Sequence, residues 1–387
     1  MTTAICLPRL MRIGAGAIEQ TPAVLDALGL GRPLVITDPY LAGCGVADRM
    51  LEVLKAGGIP AAFFAETVPE PHTDAVELAR AAVIAGGYDC LIGLGGGSPI
   101  DTAKAAAVLV RQGGRMGDYK APRDVSGPAL QVIGVPTTAG TGSEATRFTV
   151  IQDSETEEKM LCLGHAFLPV AAIVDYDLTL TMPPRLTADT GIDALTHAIE
   201  AYVSRRASGF SDAFTLAAMA GIASHLRRSY ADPEDRAARE AMTLGATQAG
   251  IAFSNSSVAL VHGMSRPIGA HFHVPHGLSN AMLLPLVTAF SAPAALDRYA
   301  TCARTMGVAA ESASDEAAVG ALIDALRRFN ADLDVPSPKA YGIDEQRWRQ
   351  LLPLMAEEAV ASGSPGNNPR IPLLGEIEEL YAQAWAG

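Results

Sequence analysis

Two segments of the chain concentrate side chains of the kinds that hold transition metals. The first, Asp189-Thr190-Gly191-Ile192-Asp193-Ala194-Leu195-Thr196-His197, places Asp193 and His197 four residues apart. On a helix that spacing projects both from one face. The second, 262–276, begins with His262-Gly263-Met264-Ser265-Arg266-Pro267 and closes on Pro275-His276, followed by Gly277. One carboxylate and three imidazoles suit a first-row divalent metal. Each feature also has a plainer explanation by itself: Asp193 and His197 as a structural hydrogen bond, His262 as a satisfied core histidine. The two segments gain meaning from what must position them.

After Pro183-Pro184, long stretches rich in Ala, Leu and Met follow with helical spacing and few β-branched runs. They predict an all-helical domain over 181–387, including a helix from about Ala241 that ends at His262. Residues 1–180 differ. Short β-rich runs alternate with helical stretches, the pattern of a parallel α/β sheet. Strands are expected at 33–38, 61–64, 89–94, 130–135 and 171–175, with helices at 46–56 and 73–85. Two domains also agree with a length of 387 residues, beyond the usual reach of one core.

The α/β half carries its own signature. In Gly93-Leu94-Gly95-Gly96-Gly97-Ser98-Pro99-Ile100-Asp101 a buried strand meets a glycine turn and then a helix. Glycines permit close backbone approach, and amides at a helix start can hold a pyrophosphate. Ser98 is the expected N-cap, with Pro99 at the first helical position. The spacing is not G-x-G-x-x-G, and a tight βα turn without a ligand explains a glycine triplet equally well. A second segment, Pro136-Thr137-Thr138-Ala139-Gly140-Thr141-Gly142-Ser143-Glu144, combines hydroxyls with glycines after another strand, a surface for phosphate and ribose. Asp38 closes an early strand. It is either a turn residue before Pro39 or an acceptor for the two ribose hydroxyls, which favours NAD over NADP.

Composition limits the function classes. A net charge of −13 argues against nucleic acid and anionic membranes as partners. The five cysteines are scattered, odd in number and without CxxC spacing, which points to a reducing cytoplasm rather than a disulfide framework. No membrane span is expected, since the apolar run Ala281-Met282-Leu283-Leu284 meets Pro285. The N-terminus lacks the basic start and apolar core of a secretory signal.

Taken together, the segments 95–101, 136–144, 193–202 and 262–277 occur in an order and spacing that resembles the iron-dependent (group III) alcohol dehydrogenases, across essentially the whole chain. The resemblance implies an NAD-binding α/β domain, an all-helical metal-binding domain of the dehydroquinate synthase-like architecture, and hydride transfer between NAD(H) and a small alcohol, aldehyde or ketone. It implies Asp193, His197, His262 and His276 as metal ligands. It likewise implies Asp38, Gly95, Gly96, Gly97, Ser98, Asp101, Thr138, Thr141 and Lys159 as dinucleotide contacts, with Leu178 packing nearby. Iron as Fe²⁺ comes from the resemblance; the donor set accepts Zn²⁺ nearly as well. A homodimer is implied as well. Two other readings stay open: an NAD- and metal-dependent lyase of the dehydroquinate synthase type, and a non-catalytic NAD-binding protein with a structural metal.

One position departs from the family pattern. Four residues after His262, where members often carry a proton-relaying histidine, stands Arg266. Arginine stays protonated and cannot act as a base. It is either an anchor for an anionic substrate group or one half of an ion pair within the protein. Proton release then falls to His271, His273 or water, and both histidines have structural explanations too.

Overall fold

The computed structural model describes residues 3–386. It divides into two compact units, Ala4–Thr181 and a second that begins at Met182.

The first unit is built on eight strands: β1 (Leu10–Ile13), β2 (Pro33–Ile36), β3 (Ala62–Phe64), β4 (Cys90–Gly95), β5 (Gln131–Pro136), β6 (Phe148–Gln152), β7 (Lys159–Leu163) and β8 (Ala171–Val174). Six form one parallel sheet in the order β1-β8-β5-β4-β2-β3, and β6 and β7 form a separate antiparallel ribbon. Parallel strands covered on both faces become apolar throughout, and β2, β4 and β8 are buried at every residue. The covering helices are α1 (Thr21–Leu28), α2 (Pro39–Gly43), α3 (Val46–Ala56), α4 (Thr73–Gly86) and α5 (Gly97–Gln112). Leu25, Met50 and Leu54 from α1 and α3 pack into one core cluster, while Val76, Val83 and Val108 from α4 and α5 pack into another. β4 and β5 are neighbours in register, with Gly95 opposite Pro136. The two glycine-rich loops therefore leave the sheet side by side at its C-terminal edge, where open α/β sheets take their ligands.

The second unit is helical: α6 (Pro184–Val203), α7 (Gly209–Ala231), α8 (Arg236–Ser256), α9 (Leu260–Phe272), α10 (His276–Ser291), α11 (Leu296–Thr305), α12 (Asp315–Asp332), α13 (Pro338–Tyr341), α14 (Glu345–Ala361) and α15 (Leu374–Ala384). α6 lies at its centre, packed against α7, α8 and α10. Two expectations are corrected here. The helix expected to run from about Ala241 to His262 is two helices, because Ser257 adopts a left-handed φ of 72° and ends α8. His262 consequently stands in the first turn of α9 rather than at a helix end. Nor does Pro285 break the apolar run. α10 continues through it, and Asn330 Nδ2 donates at 2.7 Å to the Ala281 carbonyl that the proline leaves without its intrahelical donor. The stretch His276–Ala294 is long and apolar enough to cross a membrane by length and composition, yet 61% of it is buried inside the protein. It is a core helix, packed on α6, α9, α12 and α15.

Candidate metal centre and nucleotide loops

α6 is buried along most of its length, so each polar group on it needs a partner. Asp193 and His197 point from one face of α6, as their spacing requires, and meet His262 from α9 and His276 from the start of α10. Asp193 Oδ1 lies 3.4 Å from His262 Nε2 and 3.8 Å from Nε2 of both His197 and His276. Donors about 2.1 Å from a tetrahedral ion stand ~3.4 Å from one another, so these separations are close to the edges of a coordination polyhedron. Donor atoms of Asp193, His262 and His276 all lie within 4.8 Å of one another. His197 completes the group at the Asp193 edge, its ring stacked between Phe253 at 4.2 Å and His262 at 4.5 Å. Gly277 makes the approach of α10 possible: a Cβ there would lie 2.3 Å from the Asp189 carbonyl of α6.

Two further residues, given no role in the sequence analysis, complete the cluster. Glu200 is buried on α6 and accepts at Oε1 from the Val261 amide (2.6 Å). At Oε2 it accepts from the Ala259 amide (2.9 Å) and meets His262 Nδ1 at 2.7 Å. One carboxylate thus caps α9 and orients the His262 ring, with Nδ1 toward Glu200 and Nε2 toward Asp193. Its sequence signal was a carboxylate seven residues after Asp193 on the same helical face. Asn280, one turn after His276 on α10, donates from Nδ2 to Asp193 Oδ1 at 2.7 Å, and that nitrogen lies 3.1 Å from His262 Nε2 and 3.3 Å from His276 Nε2. Its amide N–H groups converge on the acceptors that a divalent cation would take. The donor set therefore fits such an ion. Electrostatics agree: burial would raise Asp193, but His197, His276 and His262 hold its carboxyl far below the usual range. Burial likewise pushes His262 down, but Asp193 and Glu200 outweigh it and raise the imidazole to about 9.

Among the remaining candidates on α9, Arg266 is half-buried one turn after His262. His271 pairs through Nε2 with Glu358 at 2.8 Å. His273 is exposed and ends α9 in a left-handed conformation, φ 54°.

In the first unit, α5 begins at Gly97 with Gly96 as its N-cap, so Ser98 sits within the first turn and is not the cap expected from the sequence. No side chain caps this end, which leaves its first amides available to an anion. Gly95 is required by both conformation and space: its φ is 151°, and a Cβ would lie 2.6 Å from Pro99 Cγ. A Cβ on Gly97 would lie 3.3 Å from Thr141 Cγ2, so the two loops leave a surface that any larger residue would fill. Thr138 Oγ1 is buried there without a hydrogen-bond partner. Asp38 caps α2, accepting from the Leu41 amide at 2.8 Å through Oδ1. An open glycine cradle, uncapped amides and an unpartnered hydroxyl fit a dinucleotide.

The other residues in this unit serve structure visibly. Asp101 accepts from Ser143 Oγ at 2.5 Å and from the Val150 amide at 2.9 Å, holding the second loop and β6 to α5. Beneath it, fully buried Lys104 donates to Ser143 Oγ at 2.8 Å and to the Phe148 carbonyl at 2.8 Å; burial lowers its pKa. Lys159 pairs with Glu70 at 2.6 Å, and Leu178 is part of the sheet's core.

Comparison with known proteins agrees across both units. The model of the iron-containing alcohol dehydrogenases matches residues 8–176, and that of the C-terminal part of the Fe-containing alcohol dehydrogenase family matches 187–385. The chain is 35% identical to an NAD-dependent methanol dehydrogenase of Bacillus methanolicus, over 99% of this chain and 100% of that one. It is 37% identical to a lactaldehyde reductase of Escherichia coli (strain K12), over 96% and 97%. A solved 1,3-propanediol oxidoreductase superposes with a TM-score of 0.95 at 32% identity, covering 99% of this chain and 100% of that one. The chain belongs to the iron-containing alcohol dehydrogenase family and is an oxidoreductase of alcohols and aldehydes.

Proposed function

We propose that the four donors on α6, α9 and α10 form the reaction centre, with Fe²⁺ as the resident ion, and that NAD binds across the loops following β2, β4 and β5. The observation that carries this reading is the convergence of three imidazole nitrogens on one buried carboxylate oxygen, at 3.4–3.8 Å. A divalent ion in this set supplies Lewis acidity toward the substrate oxygen, and NAD accepts or returns the hydride. The protein's own contribution is positional. Glu200 orients the His262 ring, Asn280 orients the Asp193 carboxylate, and the Gly95–Gly97 turn with the open end of α5 receives the pyrophosphate. Asp38 uses one oxygen as a cap and presents the other to a ribose, which favours NAD. Of the groups considered for proton release, His271 is paired with Glu358 and His273 is exposed, and either of them or water takes that role. The free cysteines suit the cytoplasm, and the family suggests a homodimer.

The test is elemental analysis of the purified protein followed by spectrophotometric assay. One divalent ion per chain and NADH that accumulates with primary alcohols are expected. A lyase regenerates its coenzyme, so product formation without net NADH would overturn the reading, as would turnover that survives complete removal of metal.

A further inference from the structure

Arg266 stands four residues after His262 on α9 and directly after Ser265, whose hydroxyl lies 3.2 Å from His276 Nδ1. Side chains at that spacing share a helix face. The guanidinium is close enough to the cluster for its charge to act on His276, and Glu200 in turn acts on it. Among the described residues, however, Arg266 has no hydrogen-bond, ion-pair or ring partner.

The acids around it explain why. Glu200 uses both oxygens, on the amides at the start of α9 and on His262 Nδ1. Asp193 is surrounded by three imidazoles and the Asn280 amide. Glu358, which meets α9 near its other end, is taken by His271. None of these three carboxylates is left to pair with the arginine. A half-buried cation whose five donors make no bond to the protein, yet stay reachable from solvent, is open to an acceptor that arrives from outside. A fork of parallel N–H groups matches a carboxylate or sulfonate, and a neutral alkyl chain offers it nothing.

We infer that Arg266 is a specificity-determining residue that anchors an anionic group at the far end of the substrate, so that the preferred substrates are short aldehydes or alcohols bearing a carboxylate or sulfonate. This rests on the reading that the Asp193 cluster is the reaction centre. Four residues of helix advance by about 6 Å, so the reacting carbon and the anion are separated by only a few bonds.

The experiment compares matched pairs, succinate semialdehyde against butanal and glyoxylate against acetaldehyde, with NADH, for the wild-type enzyme and for Arg266→Gln, Arg266→Ala and Arg266→Lys. The wild type is expected to prefer the anionic member of each pair. The ratio of kcat/KM values, anionic over neutral, is expected to fall by at least about tenfold in the Gln and Ala variants, as for a lost charge-assisted bond, and less in the Lys variant. A second readout needs no turnover: calorimetric titration of the metal-loaded protein with ethanesulfonate, expected to show binding to the wild type and none to Arg266→Gln. A ratio that does not move, or equal anion binding by wild type and Arg266→Gln, overturns the inference. If no form of the enzyme turns over either member of any pair, the assignment of the reaction centre has failed instead.

Discussion

The two candidate regions are built from opposite materials. The nucleotide loops are made of backbone: uncapped amides at Gly97, a glycine at a φ that other residues rarely adopt, and one hydroxyl without a partner. The cluster on α6, α9 and α10 is made of side chains that meet one another, and of Asn280 only the amide oxygen is left over. Backbone sites owe their shape to what is missing, so adding an atom damages them. Side-chain sites owe theirs to what is present, so removing an atom damages them.

Single substitutions can break that contrast. The largest effect is expected from Asp193→Ala, which leaves His262 without one of the acceptors that hold its charge. The helical unit should lose about 3–5 kcal/mol by chemical denaturation, as for a buried pair stripped of one member, and elemental analysis should find little metal. If Asp193→Ala keeps a full complement, the cluster is not the metal site. Next comes Glu200→Gln, whose NH2 end would face either the Val261 amide or the Ala259 amide and His262 Nδ1 donor to donor while its oxygen still accepts. Metal affinity from chelator competition should fall about 10–100-fold, and unchanged affinity would separate the α9 cap from the imidazole it orients.

In the first unit the hierarchy should reverse. Gly95→Ala adds one carbon where Pro99 lies 2.6 Å away, at a φ of 151°; a cost of about 1–3 kcal/mol and weakened NAD binding are expected in melting and fluorescence titrations. Thr138→Val removes an oxygen that has no protein partner. Its effect on stability should stay within about 0.5 kcal/mol, with NAD affinity falling only a few-fold. A stability loss as large as that of Gly95→Ala would mean that Thr138 belongs to the scaffold.

A change of pH tests whether the contrast is confined to the sites. Burial raises the thiols of Cys162 in the first unit and Cys302 in the second to about 12 each. In the unfolded chain they ionise near 8.5. Between those values the unfolded state binds fewer protons, so stability falls as pH rises. Calorimetric melting from pH 8 to 11 should show a steady decline, shallower in Cys162→Ala and in Cys302→Ala alike. A flat profile would mean that these thiols ionise freely in the folded protein.

The fold was legible because its signals are local and repeated. Apolar runs at β2, β4, β5 and β8 and the change of texture after Pro183-Pro184 are properties of composition and period. What escaped the sequence depended on partners distant in the chain. Ser98 reads as an N-cap by residue type, yet Gly96 holds the cap conformation. Pro285 reads as a helix stop, yet Asn330 from another helix supplies the missing donor. Glu200 and Asn280 follow the same rule: helical spacing from Asp193 and His276 puts them on suitable faces, but only the packing of α6, α9 and α10 turns those faces toward one another. The two explanations of Arg266 were also inseparable in sequence, since deciding between them requires knowing what every nearby carboxylate is doing.

Glu200 has one more consequence. The donors come from segments roughly sixty residues apart in the chain, and closing such a loop carries an entropic cost set by its length. A carboxylate closes this one by bonding α6 to the start of α9, so the cost is met when the helices assemble. On the proposed metal site, an arriving ion would find the loop already closed, and loading would be a local event that leaves α6 and α9 in place.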